Sequence, residues 1–142
     1  MNSEIKKYAL KLLKRQDYCS FRLKKKLCLR FPNFKKEIDY VLKELEAKKF
    51  INDNKYLDNK IEYYILHYKG YYLIEDRLLK YGYDKNIINQ HFTNYKDMEK
   101  EYLNKYINKN IKISKDTLLK KISMHGYDIE LANRLLNCDI IK

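Results

Sequence analysis

Apolar residues recur at spacings of three and four along nearly the whole chain, which is the pattern of amphipathic α-helices with one buried face. The first stripe is typical: Ile5, Ala9 and Leu12 share one side of a helix predicted from about Glu4 to Gln16. Stripes of this kind predict nine helices in all. The single Pro and three Gly leave few tight turns for strands. The expected fold class is therefore all-α.

A Gly-Tyr-Asp tripeptide occurs twice, beginning at Gly82 and at Gly126. Each glycine suits the left-handed position just past a helix end. The aspartates, Asp84 and Asp128, can accept hydrogen bonds from the first free amides of the helix that follows. The apolar positions around the tripeptide repeat with it, at a period of about 44 residues. Such a period over a helix-turn-helix unit indicates a helical repeat array.

Short polar joints separate the predicted helices. Ser20 is expected to cap the second helix and Asp53 the fourth, and the fourth is expected to stop near Gly70. Helices this short cannot bury their apolar faces alone, so we expect three tandem three-helix repeats that stack into a curved, elongated helical array. The expected repeats are residues 1–51, 52–96 and 97–142.

The charge of the chain is strongly positive and unevenly distributed. Its 31 basic and 19 acidic residues give a net charge of +12. Residues 1–50 alone contribute a net +9, from fifteen basic and six acidic residues. Such an excess favours a polyanionic partner, either nucleic acid or something already bound to it. The alternative is that the lysines reflect a compositional bias of the gene and are merely solvated.

The cysteines and the hydropathy pattern indicate a cytoplasmic protein. Cys19, Cys28 and Cys138 form an odd set without Cys-x-x-Cys spacing, which is typical of reduced thiols and not of a disulfide frame or a zinc site. No apolar run approaches the roughly 20 residues of a membrane span. No apolar segment of the signal-peptide type follows the first lysines.

The order of the helical positions resembles the RecX regulatory proteins, which are modulators of the RecA recombinase. The resemblance covers nearly the whole chain and is strongest from Tyr8 to Phe92. Each position alone is unspecific, but the ordered set with its internal repeat is fairly specific. The set comprises Ala9, Leu12, Leu13, Arg15, Ser20, Leu23, Leu27, Val41, Leu42, Leu45, Ile51, Asp53, Tyr56, Gly70, Ile74, Leu78 and Gly82.

This resemblance implies three tandem three-helix units and a monomer that binds the RecA filament on single-stranded DNA. It implies contact with that DNA directly or through the filament, and inhibition of ATP turnover and strand exchange. The expected role is modulation of DNA repair, recombination and the SOS response. The chain departs from the family where Arg22 and Arg77 precede the inward leucines, positions that are often acidic, and where Leu57 replaces a small residue. These departures make the expected binding side more basic.

Basic residues on the second and fifth helices are the candidate binding residues. Second helices of successive repeats are expected to occupy comparable places, so that one row could contact phosphates or an acidic filament wall. The alternative for each is a solvated surface charge. The predicted row comprises Arg22, Lys25, Lys26, Arg30, Arg77 and Lys80.

The abundant tyrosines support two interpretations. Several lie off the main apolar stripes and could stack on unpaired bases. Packing at helix joints with a wet hydroxyl is the more common role and is preferred here. The tyrosines in question are Tyr63, Tyr71, Tyr72 and Tyr81.

The sequence offers no catalytic or cofactor site. His67, His91 and His125 are scattered without metal-ligand spacing, and His91 is expected at the edge of the core. Glu75 and Asp76 are adjacent and read as solvent charges. There is no Gly-rich phosphate loop and no nucleophile paired with a base, so we expect neither an enzyme nor a bound cofactor or metal. Two other functions stay open: a stand-alone nucleic-acid-binding module, and a helical adaptor for another acidic protein.

Overall fold

A computed structural model of the chain describes residues 1–141 and the side chains of residues 1–137, so that the Cys138 side chain lies outside the described residues. Residues 1–141 form nine α-helices and one 3₁₀ turn, Thr93–Tyr95, with no strand. The predicted all-α fold class is confirmed. The helices are α1 (Asn2–Arg15), α2 (Ser20–Arg30), α3 (Lys35–Ala47), α4 (Asp53–Leu66), α5 (Tyr71–Leu79), α6 (Lys85–Phe92), α7 (Lys96–Lys109), α8 (Lys115–Met124) and α9 (Ile129–Ile141).

The chain divides into two compact units, Met1–Leu57 and Asp58–Lys142, with the boundary inside α4. In the first unit, α1, α2 and α3 bury their apolar stripes together, with Ile5, Leu23 and Ile38 fully enclosed. The second unit holds a core that includes Leu103, Ile122 and Ala132. The boundaries 1–51, 52–96 and 97–142 of the three expected repeats stay predictions.

Four turns share one way of ending a helix. At Gly82 and Gly126 the backbone has φ of 86° and 88°, as predicted from the repeated tripeptide. The amide of Gly82 donates to the carbonyl of Leu79 (3.0 Å), and the next amide reaches back to Leu78 (3.3 Å), which is the Schellman pattern. Lys49 and Tyr68 adopt the same conformation at φ of 64° and 60°, although neither is glycine. The left-handed strain at these two residues is offset by the carbonyls that the turn satisfies.

The predicted aspartate caps after the two glycines are confirmed. Asp84 accepts a hydrogen bond from the Asn86 amide at 2.7 Å, and Asp128 accepts one from the Glu130 amide at 3.0 Å. A short carboxylate side chain, placed one residue before the helix, reaches the free amides of the first turn. The local sequence therefore decides both caps.

The predicted caps at Ser20 and Asp53 are wrong. Ser20 is the first residue of α2 and not its cap, a position held by Cys19. Asp53 is the first residue of α4, whose cap is Asn52, because the Asn52 side chain accepts from the Lys55 amide at 3.1 Å. The Asp53 carboxylate instead accepts from the Ser20 amide (2.7 Å) and the Ser20 hydroxyl (2.5 Å). One acidic side chain thus satisfies the start of a helix 33 residues away.

Gly70 is a joint residue for a different reason from the one predicted. Helix α4 ends at Leu66, and Gly70 caps the start of α5 in an extended conformation. Its amide donates to the carbonyl of His125 at 2.8 Å, and a Cβ at Gly70 would lie 2.5 Å from the Tyr127 amide nitrogen. Backbone approaches backbone here, which leaves no room for a side chain.

Replacing Gly126 by Ala is expected to destabilise the protein more than the same change at Gly82. Both glycines have positive φ, but a Cβ at Gly126 would also overlap the Cβ of Leu73. We expect a loss of about 3 kcal/mol or more in the free energy of unfolding at position 126, from strain and overpacking together. The exposed Gly82 should cost about 1–2 kcal/mol from strain alone. Urea denaturation of both variants measures the difference, and equal losses would contradict the close contact.

Candidate functional site

Helix α2 concentrates positive charge on a well-anchored support. Its eleven residues include five basic and no acidic side chains. Leu23 and Leu27 are fully buried and fix the side of α2 that faces the core. Of the four predicted binding residues on this helix, Lys25, Lys26 and Arg30 are exposed, whereas Arg22 is half-buried.

These four residues do not form a single row. At about 100° per residue, Arg22, Lys26 and Arg30 lie on one stripe of α2 at successive spacings of four. Lys25 belongs to the neighbouring stripe, which points away from the core. That second stripe also carries Phe21 and Leu29, which the sequence reasoning did not single out.

Aromatic rings hold three of the four cations in place. The Lys25 ammonium lies 4.6 Å from the centre of the Phe21 ring. The Arg30 guanidinium lies 5.6 Å from the Tyr8 ring, and that of Arg22 lies 6.0 Å from the Tyr18 ring. A cation–π contact orients a charge without neutralising it, so the positive potential of the exposed Lys25 and Arg30 remains available to a partner. Lys24, by contrast, pairs with Asp39 at 3.0 Å.

The other two predicted residues, Arg77 on α5 and Lys80 directly after it, lie in the second unit and are both exposed. The Arg77 guanidinium lies 5.4 Å from the Tyr64 ring. The Lys80 ammonium lies 3.4 Å from the Asp76 carboxylate one turn away, an exposed pair that contributes little to stability. A continuous row from α2 to α5 stays a prediction.

Carboxylates from other helices hold the starts of α2 and α5. Asp53 accepts from the first amide of α2, at Ser20, as described above. Glu99 on α7 accepts from the first amide of α5, at Tyr71, over 2.7 Å. Each carboxylate neutralises the positive end of a helix and fixes where its basic residues point. Glu99 was missed because its partner lies 28 residues away and no local pattern marks the contact.

Aromatic and basic side chains also gather where α4 and α5 meet in the second unit. The rings of Tyr63 and His67 stack with centres 4.2 Å apart, and the Lys60 ammonium lies 5.4 Å from the Tyr63 ring. Burial and a hydrogen bond with Tyr81 raise the pKa of Tyr64 to about 12. Tyr63 is half exposed, so it can offer an edge or face to a ligand.

Of the remaining tyrosines, Tyr71 has the joint-packing role. Tyr71 packs edge-on against Phe92 with ring centres 4.8 Å apart, which is the joint-packing role. Burial and a hydrogen bond with Glu75 raise the pKa of the Tyr71 phenol. Tyr81 is half-buried and Tyr72 is exposed.

The expectation that Glu75 is a solvent charge is wrong. Its largely buried side chain accepts the hydrogen bond from the Tyr71 phenol and lies 3.9 Å from the Lys85 ammonium.

Each of the three histidines has a ring nitrogen within hydrogen-bond distance of an oxygen. His91 lies at the core edge, as predicted, with its Nδ1 2.9 Å from the Asp58 carboxylate. Nδ1 of His67 lies 2.7 Å from the Tyr63 carbonyl, and that of His125 lies 2.8 Å from the Tyr68 carbonyl. Within the described residues, no group of three or more His, Cys, Asp or Glu is arranged to hold a metal ion. None of the helices in that part of the chain has the length and apolarity to cross a bilayer.

Comparison with solved structures identifies the arrangement of helices. The crystal structure of RecX from Lactobacillus salivarius superposes with a TM-score of 0.79 over 96% of this chain and 94% of that one. The chain has the fold of RecX. A second structure, of a regulatory protein RecX, matches with a TM-score of 0.77 over 96% of this chain and 71% of the other.

The likeness to RecX is one of fold and not of closely similar sequence. The two RecX structures are 21% and 15% identical to this chain. No protein-family model matches the chain, and no curated protein matches it by sequence. The fold expected from the resemblance of the ordered apolar positions is thus confirmed.

Replacing Glu99 by Gln is expected to change how stability depends on pH. Burial raises the pKa of Glu99, with a smaller opposing effect from the Tyr71 amide. The pKa of such a carboxyl is higher in the folded chain than in the unfolded chain, where it is about 4.3. The carboxyl therefore stabilises the fold at pH values below the unfolded pKa, and this stabilisation is lost as pH rises through the folded pKa. Wild type should therefore lose free energy of unfolding relative to Glu99→Gln as pH rises from about 4 towards neutrality.

Urea denaturation at a series of pH values measures this difference. Glu101→Gln serves as the control, since Glu101 is an exposed carboxylate on the same helix. Parallel pH profiles for wild type and Glu99→Gln would show that Glu99 titrates alike in the folded and unfolded chain.

Proposed function

We propose that this chain is a non-enzymatic regulatory protein that binds the RecA recombinase filament on single-stranded DNA and inhibits it. The observation that most supports the proposal is the likeness to RecX over 96% of the chain. The cations of α2 add a surface suited to a polyanionic assembly. In this role the chain acts as a monomer in the cytoplasm and modulates DNA repair, recombination and the SOS response.

The inhibition would follow from binding across adjacent recombinase subunits. Exposed Lys25, Lys26 and Arg30 would meet acidic side chains or phosphates of the filament. A chain that bridges two subunits opposes the relative movement they need for ATP turnover and strand exchange. The recombinase supplies the ATPase, and this chain supplies only binding energy.

Direct binding of single-stranded nucleic acid is the second candidate function. The stacked pair of Tyr63 and His67, with Lys60 nearby, combines ring faces with positive charge. Proteins that bind unpaired strands without sequence preference use this combination. An oligothymidylate that binds the chain equally well with and without recombinase would favour this candidate.

Adding the protein to its cognate recombinase on single-stranded DNA is expected to lower the rate of ATP hydrolysis. A coupled ATPase assay measures the effect, and strand exchange between homologous DNAs provides a second readout. Unchanged rates at saturating protein, with filament assembly confirmed by microscopy, would reject the proposed inhibition.

Reversing the charge of Lys25, Lys26 and Arg30 to Glu is expected to weaken filament binding by about a hundredfold or more. Each reversed contact costs on the order of 1 kcal/mol, and about 1.4 kcal/mol corresponds to tenfold. Helicity should be retained because Glu and Lys have similar helix propensity. Fluorescence anisotropy with labelled filament measures the affinity.

The matched control reverses Lys35, Lys36 and Lys43, three exposed residues of α3 in the same unit. Equal losses in both triple variants would assign the effect to bulk charge. Unchanged binding in both would remove α2 from the interface.

A further inference from the structure

The side of α2 that points away from the core carries large apolar residues. Phe21, Lys25 and Leu29 follow one another at spacings of four, opposite the buried Leu23 and Leu27. Leu29 is 82% exposed and Phe21 is 40% exposed. The remaining outer positions of α2 are mostly cationic. Phe21 and Leu29 are therefore two apolar side chains in an otherwise charged surface.

These residues border a shallow, open groove of about 530 Å³ that lies wholly on the outer surface of α2. Most of its wall is apolar, and cations stand along its rim. Lys24 on this rim is held by Asp39 at 3.0 Å, which positions its stem along the groove. The lining residues are Phe21, Lys24, Lys25, Cys28 and Leu29.

The groove does not fit a nucleic acid strand. The Lys25 ammonium lies over the Phe21 ring at 4.6 Å and occupies the position that a stacked base would take. Leu29 is aliphatic and gains nothing from contact with phosphate oxygens. Burying Leu29 requires apolar atoms on the partner, and the surrounding lysines require carboxylates beside them.

We propose that this outward face of α2 docks an acidic amphipathic helix of a protein partner. Aliphatic side chains of that helix pack on the exposed Leu29, and its carboxylates meet Lys25 and Lys26. The two helices pack face to face, and the partner helix presents its apolar anchors at spacings of three and four. This inference rests on the proposed function in one respect: the recombinase is the protein that presents the acidic helix.

The first test uses a synthetic helical peptide with leucines on one face and glutamates on the other. Titration into the isotopically labelled full chain, followed by NMR, should shift amides of residues 21–30. Leu29→Ala should weaken binding about tenfold, since it removes most of an exposed aliphatic anchor while Ala preserves helicity. Ile111→Ala, at a residue 73% exposed outside α2, should leave the affinity unchanged.

Three results of this titration would overturn the proposal. One is that the shifts fall outside α2. Another is that Leu29→Ala binds the peptide as wild type does. The third is that oligothymidylate shifts the same amides, and that Leu29→Ala weakens oligothymidylate binding as much as peptide binding. This result would assign the face to nucleic acid.

The second test separates this inference from the proposed function. Wild type and Leu29→Ala are compared for binding to the assembled recombinase filament. If wild type binds the peptide but no filament, the proposed function fails and the docking face stands. If both proteins bind the filament equally, the docking face is rejected and the proposed function stands.

Discussion

The hydrogen bond that the first amide of a helix donates to a distant carboxylate positions both α2 and α5. Asp53 makes this bond to α2 and Glu99 makes it to α5. In each case the acidic residue lies at or near the start of a helix that follows much later in the chain. The bond joins two segments that are far apart in the sequence. It therefore fixes the rotation of α2 or α5 relative to its neighbours. Its cost is the desolvation of a carboxylate, which the raised pKa of Glu99 reflects.

The surface of the first unit uses aromatic rings where many proteins use carboxylates. Lys25 and Arg30 lie over Phe21 and Tyr8, so these charges are oriented without being cancelled. A helix arranged in this way keeps its positive field and restricts the conformations of its long side chains. Less side-chain entropy is then lost on binding, which favours a partner whose charges are fixed in register.

The close approach of Gly70 to the turn at Gly126 shows how a local signal acquires a tertiary role. Gly126 is needed first for its positive φ at the end of α8. The same lack of a Cβ then lets the α5 backbone bond to this turn, since the Tyr72 amide donates to the Gly126 carbonyl at 3.0 Å. One glycine therefore both ends a helix and admits its neighbour. Gly70 has ordinary φ, and only the contact itself explains why no side chain is present there.

The sequence by itself determined the helices, the two glycine turns and the aspartate caps at Asp84 and Asp128, because each depends on residues within about one turn of chain. Its ordered apolar positions also resembled RecX, and the fold agrees. Tertiary structure alone decided the partners of Asp53, Glu99 and Glu75, since a carboxylate can bond any amide or hydroxyl that the fold brings within reach. It also left Leu29 exposed, because a helix shows its outer face only after packing has chosen its inner one.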